Sequence, residues 1–238
     1  MRGFTIAVVS FVLCAGYAHA QMAMGPATEA APFGSPVDDE RVYAHLLADQ
    51  FEGRFGGGDS DLRWDGQAWV GTDEQRLWLK SEGETQDGKV EGGRLEALYD
   101  RPITPFFDLQ AGVRYDLDSR PGRTWAAFGV EGLAPYFLNV EATVYVSGEG
   151  HLAARAMVSY DQLLTQRLIL SPEVEANLYS KADPARDVQT GLSDIDAGLR
   201  LRYEITRKFA PYIGVAYERQ AGLATNGARL AVGVRSWF

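Results

Sequence analysis

The feature that most constrains the fold is a strict alternation of apolar and charged residues near the carboxyl end of the chain. From 194 to 205 every odd position is apolar, and charge falls on the even positions Asp194, Asp196, Arg200, Arg202 and Glu204. Successive side chains of a β-strand point to opposite faces, whereas a helix would mix the two rows. The alternation resumes at Phe209, so the two stretches are predicted to form a hairpin with one apolar and one polar face.

The same alternation recurs along most of the chain. Turn-forming residues separate twelve such stretches, which lie near 46–56, 62–70, 74–85, 89–101, 105–117, 123–133, 136–147, 151–162, 167–180, 193–206, 209–219 and 228–238. The first four are noisier than the rest. An all-β antiparallel fold of about 12 strands is therefore predicted.

Two architectures produce this pattern. A soluble sandwich or lipocalin-like barrel buries its apolar face, whereas an outer-membrane β-barrel turns that face to lipid and its polar face to the lumen. The stretches are longer than the roughly five or six residues usual in soluble strands, and they match the length of tilted membrane strands. The length of the stretches therefore favours an antiparallel transmembrane β-barrel of the outer membrane.

The connections and the aromatic residues point to the same architecture. The longest gaps, 181–192 and 220–227, follow odd-numbered stretches, which places both termini in the periplasm if these gaps are the outer loops. Aromatic residues such as Trp125 and Trp237 mark the ends of stretches, as interfacial girdles do. A final strand that ends in Phe, here Phe238, is typical of outer-membrane barrels.

The start of the chain is predicted to be a secretory signal peptide, residues 1–20. A short apolar run from Ile6 to Val12 precedes the small-residue cleavage site Ala18-His19-Ala20. Residues 21–41 show no periodicity and are predicted to form a flexible periplasmic segment, which leaves 42–238 for the barrel. The single cysteine lies within the signal peptide, so the exported chain is predicted to lack disulfides and thiolate ligands.

Charge and motif content exclude some functions. The formal net charge of −9 and the lack of a Lys/Arg cluster argue against a nucleic-acid partner. No serine two residues from His151 and no Gly-x-Ser-x-Gly motif supports a nucleophile, and no glycine-rich phosphate loop is present. The chain is therefore predicted not to be an enzyme.

Several sequence blocks resemble the copper resistance protein B family. In chain order they are WVGTDEQRLWLKSEGE at 69–84, FDLQAGVRYD at 107–116, GLAPY at 132–136, LTQRLILSP at 164–172 and GLRLRYEI at 198–205. The resemblance implies an outer-membrane protein of copper tolerance that binds, sequesters or exports copper ions at the outer membrane, together with a periplasmic multicopper oxidase. A general outer-membrane porin or a structural barrel without a copper-specific role is the alternative.

Candidate copper ligands are few in the exported chain. Thioethers suit Cu(I), and imidazole suits both oxidation states; the side chains of these kinds are Met22, Met24, His45, His151 and Met157. His45 starts the first stretch and is within reach of the two N-terminal methionines if that segment is flexible. His151 and Met157 share the inward row of one stretch. Two roles are open for them: they bind copper at successive positions along a lumen, or His151 is simply a residue at the rim and Met157 one that fills space in the lumen.

The inward rows carry many charges. The predicted lumen-facing charges are Asp108, Arg114, Asp116, Glu141, Glu173, Glu175, Asp194, Asp196, Arg200, Arg202 and Glu204. Two compatible roles are open for them: they guide cations through a channel, or they form cross-strand ion pairs that fill a narrow barrel.

Overall fold

The computed structural model describes residues 41–56, 59–86, 89–117, 122–184, 188–221 and 227–238. The predicted signal peptide and residues 21–40 of the predicted periplasmic segment lie outside the described residues. The described residues belong to one compact unit of the chain.

Twelve long strands account for most of this part of the chain. They are β1 Tyr43–Gly56, β2 Asp59–Gly71, β3 Arg76–Gln86, β4 Lys89–Pro102, β5 Phe107–Asp116, β6 Thr124–Ala134, β7 Leu138–Ser147, β8 Leu152–Ser159, β9 Leu168–Tyr179, β10 Gly191–Tyr203, β11 Phe209–Gln220 and β12 Gly227–Trp237. A two-residue strand, Gln162–Leu163, pairs with the start of β9. A short 3-10 turn, Pro135–Phe137, joins β6 to β7. No helix among the described residues is long and apolar enough to cross a membrane.

The strands form one closed antiparallel barrel. Each strand pairs with the next along the chain, and β12 pairs with β1 to close the sheet. The closure continues to the last residue, because the Leu46 N–H donates to the Phe238 carbonyl at 3.0 Å and the Phe238 N–H donates to the Leu46 carbonyl at 2.8 Å. Each of the twelve long strands is therefore paired on both sides, as a barrel in lipid requires. The prediction of a twelve-stranded antiparallel barrel is confirmed.

Tyr43 and Trp237 lie at the same end of the barrel, which we call the terminal end; the opposite end is the far end. The longest connection, 180–190, lies at the far end, as the gap lengths predict. The connections 57–58 and 87–88 also lie at the far end, and they are the shortest connections between consecutive long strands. The connection 160–167, at the terminal end, is longer than 148–151 at the far end, so the two ends do not differ consistently in connection length.

The barrel has an apolar exterior and a charged interior. On the outer face Leu199 is 47% exposed and Ile213 is 53% exposed, whereas Asp196 and Arg200 on the inner face are 8% and 6% exposed. A continuous apolar exterior of this kind is costly in water and is stabilised by lipid. In the hairpin formed by β10 and β11, the apolar row therefore faces lipid and the charged row faces the lumen.

A β-bulge at Asp49 interrupts the alternation in β1. Ala48 pairs with Gly66 and Gln50 pairs with Asp65, so Asp49 is one extra residue on the β1 side. As a result Leu47 and Gln50 are both buried although they are three positions apart. The bulge is the physical reason why the first stretch looks noisy in sequence.

Two aromatic residues that the sequence assigns to lipid girdles face the lumen instead. Trp125 is 1% exposed, and its indole N–H donates to Asp116 at 2.8 Å. Trp237 lies on the inner row of β12, and its indole N–H donates to the Arg207 carbonyl at 2.7 Å. An indole turned away from lipid needs a partner for its N–H, and both residues have one. The girdle assignment was wrong for these two residues, because position at a strand end does not reveal the face. The alternation of the last stretch does predict the inner row for Trp237, together with Arg229 and Arg235.

Candidate functional site: the polar lumen and the histidines at its two ends

The inner rows of the strands line a lumen of buried charge. Of the predicted lumen-facing charges, the buried ones are Arg114, Asp116, Glu141, Glu175, Asp196, Arg200 and Arg202, and the partly buried ones are Asp108, Glu173, Asp194 and Glu204. Charges removed from water are stabilised only when they are paired and hydrogen-bonded. The contacts of these side chains therefore decide what the lumen can do.

At the middle of the lumen, side chains from opposite walls meet. Arg155, on β8, contacts Glu141 at 2.5 Å, Glu175 at 3.0 Å and Glu82 at 3.2 Å. Glu82 belongs to β3, across the barrel from β8. Arg94, on β4, also contacts Glu82 and lies 3.5 Å from Glu175 on β9. These ion pairs cross the lumen.

A second group of contacts links β1 to β10 and β11. The Arg200 guanidinium donates to Glu52 at 2.8 Å, and the Tyr212 hydroxyl donates to the same carboxylate at 3.0 Å. Arg54 donates to Glu52 at 2.9 Å and to Asp196 at 2.7 Å. One buried carboxylate thus binds two arginines and a tyrosine, which leaves it fully partnered.

A third group surrounds the only lysine that these contacts include. The Lys80 ammonium, on β3, donates to Glu131 at 2.7 Å and to Glu141 at 2.9 Å. The Gln110 amide donates to Glu131 at 3.0 Å. Lys80 therefore ties β3 to β6 and β7, and the three groups together cross-link the barrel from the inside.

Sequence reasoning missed many of the partners in this network. Among them are Glu52, Arg54, Arg63, Lys80, Glu82, Arg94 and Glu96, all on the first four strands. In β1 the bulge hides the inner row. In β3 a usable signal was present, because Arg76, Trp78, Lys80, Glu82 and Glu84 occupy alternate positions.

A small cavity opens in the lumen at the terminal end. Its volume is about 80 Å³, and Asp161, Ser171, Glu173, Arg200 and Arg202 are among its lining residues. Asp161, in the connection between β8 and β9, accepts hydrogen bonds from Ser171 at 2.6 Å and from Arg202 at 2.7 Å. Burial disfavours the charge of Asp161, but these hydrogen bonds and the Arg202 charge outweigh it and hold the pKa of Asp161 below its ordinary value.

The structure separates the candidate copper ligands. His45 is partly buried on the inner face of β1 at the terminal end, with Trp69 and Trp237 on either side at ring-centroid distances of 6.0 and 5.8 Å. His151 lies at the far end, 3.9 Å from the exposed Glu149 carboxylate. The Met157 sulfur lies 3.7 Å from Arg155, within the ion-pair network. The N-terminal Met22 and Met24 lie outside the described residues.

These positions do not assemble a multidentate metal centre within the described barrel. No group of three or more His, Cys, Asp or Glu suited to holding a metal ion occurs in the described parts of the chain. The candidate ligands His45, His151 and Met157 therefore lie apart from one another in the described barrel.

Comparison with known proteins identifies the family. The family described as "Copper resistance protein B precursor (CopB)" matches residues 42–238, which is the whole barrel. The chain belongs to the copper resistance protein B family. Among curated proteins, a copper resistance protein B homolog of Pseudomonas syringae pv. tomato (strain ATCC BAA-871 / DC3000) is 42% identical over 215 residues, which cover 86% of this chain and 73% of that protein. Copper resistance protein B of Escherichia coli is 40% identical over the same shares of both chains.

Solved structures relate this member of the copper resistance protein B family to small porins by fold. The NanC porin superposes with a TM-score of 0.56 at 13% identity, covering 82% of this chain and 99% of that one. The KdgM porin superposes with a TM-score of 0.50 at 16% identity, covering 83% and 99%. At these identities the likeness extends to the barrel architecture alone.

Proposed function

We propose that this barrel serves copper tolerance by binding copper ions at the outer membrane, with its terminal end facing the periplasm. The observation that carries the proposal is the match to the copper resistance protein B family over the entire barrel. The apolar exterior supports a location in lipid. Copper is the cargo in this proposal, and the barrel acts on it without catalysis.

Binding is favoured over passage because of the ion pairs that cross the lumen. Arg155 contacts Glu82 on the opposite wall, and Arg94 links the same carboxylate to Glu175. A hydrated cation would have to displace these contacts to pass. The terminal end, with His45 at the rim, is therefore the proposed place where copper is held, and Met22 and Met24 are proposed to add thioether ligands there.

We infer a periplasmic partner from the same orientation. A periplasmic multicopper oxidase, the partner that the family resemblance implies, would meet the terminal end and its connections 72–75, 103–106 and 204–208. Copper held at His45 would then lie on the side of the membrane where the oxidase works.

Growth of a deletion strain on increasing copper tests the proposed function. We expect the deletion to lower the tolerated copper concentration, and we expect the wild-type chain to restore it. His45→Ala should restore tolerance less well than His151→Ala, because only His45 lies at the terminal end. If deletion leaves copper tolerance unchanged, the proposal fails and the alternative of a general porin or structural barrel takes its place.

A further inference from the structure

Three rings at the terminal end form a cluster that lipid contact does not explain. His45, on β1, pairs directly with Trp69 on β2, and Trp237 lies next to it on β12. Aromatic girdles of outer-membrane barrels face outward, to the lipid interface. These two indoles instead lie on the inner row, and all three rings are partly exposed. A solute entering the lumen from the terminal end can therefore reach them.

The geometry of the cluster combines a lone-pair donor with two aromatic faces. The His45 ring is tilted by 43° to Trp69 and by 47° to Trp237, at centroid distances of 6.0 and 5.8 Å. Both centroid separations are close to the distance of about 6 Å over which a tryptophan face attracts a cation.

Two positively charged side chains already lie over the indoles of the cluster. Arg76 lies 5.4 Å over the Trp69 ring and Lys208 lies 5.2 Å over the Trp237 ring, so both indoles already receive positive charge on one face. The Arg76 charge is balanced by Asp108 at 3.2 Å. A monovalent cation at His45 would meet less repulsion from these side chains than a divalent cation would.

We propose that His45, Trp69 and Trp237 form a site for Cu(I), with the imidazole as ligand and the two indole faces as cation–π partners. The proposal rests on the proposed function and names the site where the cargo is held. Cu(I) fits better than Cu(II), because Cu(II) prefers a tetragonal set of nitrogen and oxygen ligands. The cluster offers one imidazole and two soft, polarizable faces.

Titration with Ag⁺ tests the site. Ag⁺ is a monovalent, soft stand-in for Cu(I) that needs no reductant, and the full chain refolded in detergent supplies its own tryptophan fluorescence as the signal. We expect Ag⁺ to change this fluorescence in the wild type and His45→Ala to weaken binding at least tenfold. The double variant Trp69→Phe/Trp237→Phe should lose the fluorescence response and bind about two- to tenfold more weakly.

Matched controls separate the site from a structural effect. His151→Ala removes the histidine at the other end, and Trp64→Phe removes an outward indole from the same strand as Trp69; both should bind as the wild type does. His45→Met keeps a soft ligand and should retain binding, while heat-modifiable gel mobility shows that each variant is assembled. Unchanged Ag⁺ binding in His45→Ala, or a full fluorescence response in the double variant, would overturn the site.

The two proposals fail in different experiments. If the deletion leaves copper tolerance unchanged but the purified chain shows the expected Ag⁺ response, the proposed function is overturned and the site is supported. If copper tolerance depends on the chain but His45→Ala leaves Ag⁺ binding unchanged, the site is overturned and the proposed function is supported.

Discussion

At the residue scale, Arg155 illustrates how buried charge is held in this lumen. Its guanidinium contacts three carboxylates, those of Glu82, Glu141 and Glu175, and its side chain is 5% exposed. A group of carboxylates this close together is stable only while the cation remains among them. Removing such an arginine should therefore cost more stability than the loss of any single contact, because it leaves several buried carboxylates without a partner.

Replacing Arg155 should consequently destabilise the barrel strongly. We expect Arg155→Ala to lower the free energy of unfolding by about 3–5 kcal/mol, because it leaves uncompensated buried carboxylates. Urea unfolding of the chain refolded in lipid vesicles measures the change. Arg207→Ala is the matched control, since the Arg207 side chain is 85% exposed, and its effect should stay within about 0.5 kcal/mol. Equal effects of the two changes would contradict the ion-pair network.

The sequence predicts which face of the barrel such residues occupy better than it predicts their ion-pair partners. The alternation predicts that Asp196 and Arg200 point the same way, and both are buried on the inner face. It does not predict that they pair with Arg54 and Glu52, because those lie 142 and 148 positions earlier in the chain. Partners across a lumen follow from barrel closure, which no local pattern encodes.

At the element scale, the bulge in β1 sets which residues line the terminal end. His45 and Leu47 lie on the inner face before the bulge, and Gln50 and Glu52 lie on it afterwards. One extra residue at Asp49 allows both halves to face inward. The bulge therefore joins the histidine at the rim to the ion pairs deeper in the lumen within a single strand.

Single-residue deletions in β1 and in a strand without a bulge should differ sharply in effect. Deleting Asp49 restores regular alternation in β1 and keeps both halves of its inner row in place, at the loss of the Asp49–Arg235 ion pair. Deleting Val144 from β7, which pairs with β6 and β8 without a bulge, turns one half of its inner row to the lipid face, because a one-residue slip reverses every side chain. We expect the first variant to assemble and the second to fail, as judged by heat-modifiable gel mobility after refolding. Assembly of both variants would show that strand register is not fixed by burial.

Strands with regular alternation are predicted well, and strands with irregularities are not. β10 and β11 follow period two almost throughout, so sequence assigns both of their faces. β1 departs from it at one residue, and this is enough to obscure the row that carries Glu52 and Arg54. Position at a strand end also misassigned Trp125 and Trp237, which are two of the rings that shape the lumen.

At the scale of the whole molecule, closure of the barrel and the contacts across it produce a cross-linked lumen. Arg63 and Arg94, from β2 and β4, both contact Glu82, which Arg155 reaches from β8. The likeness to the NanC and KdgM porins is a likeness of architecture. Whether a barrel of this shape conducts depends on the side chains inside it.

We expect the wild-type chain in planar lipid bilayers to show no steady single-channel conductance. Glu82→Ala removes the carboxylate that the three arginines share, so it should raise the conductance measurably. Conductance steps in the wild type as large as those of an open porin would contradict a lumen closed by ion pairs.

The copper content of the chain recovered from copper-grown cells tests the central claim most directly, because it reports location and binding together. The measurement is metal per chain after separation of outer membrane from soluble fractions and purification in detergent, for the wild type and for His45→Ala. We expect the wild-type chain in the outer-membrane fraction with copper bound, and His45→Ala in the same fraction with markedly less. The claim would be contradicted if the chain from the outer membrane held no more copper than an unrelated barrel purified beside it. It would also be contradicted if the chain were recovered without detergent.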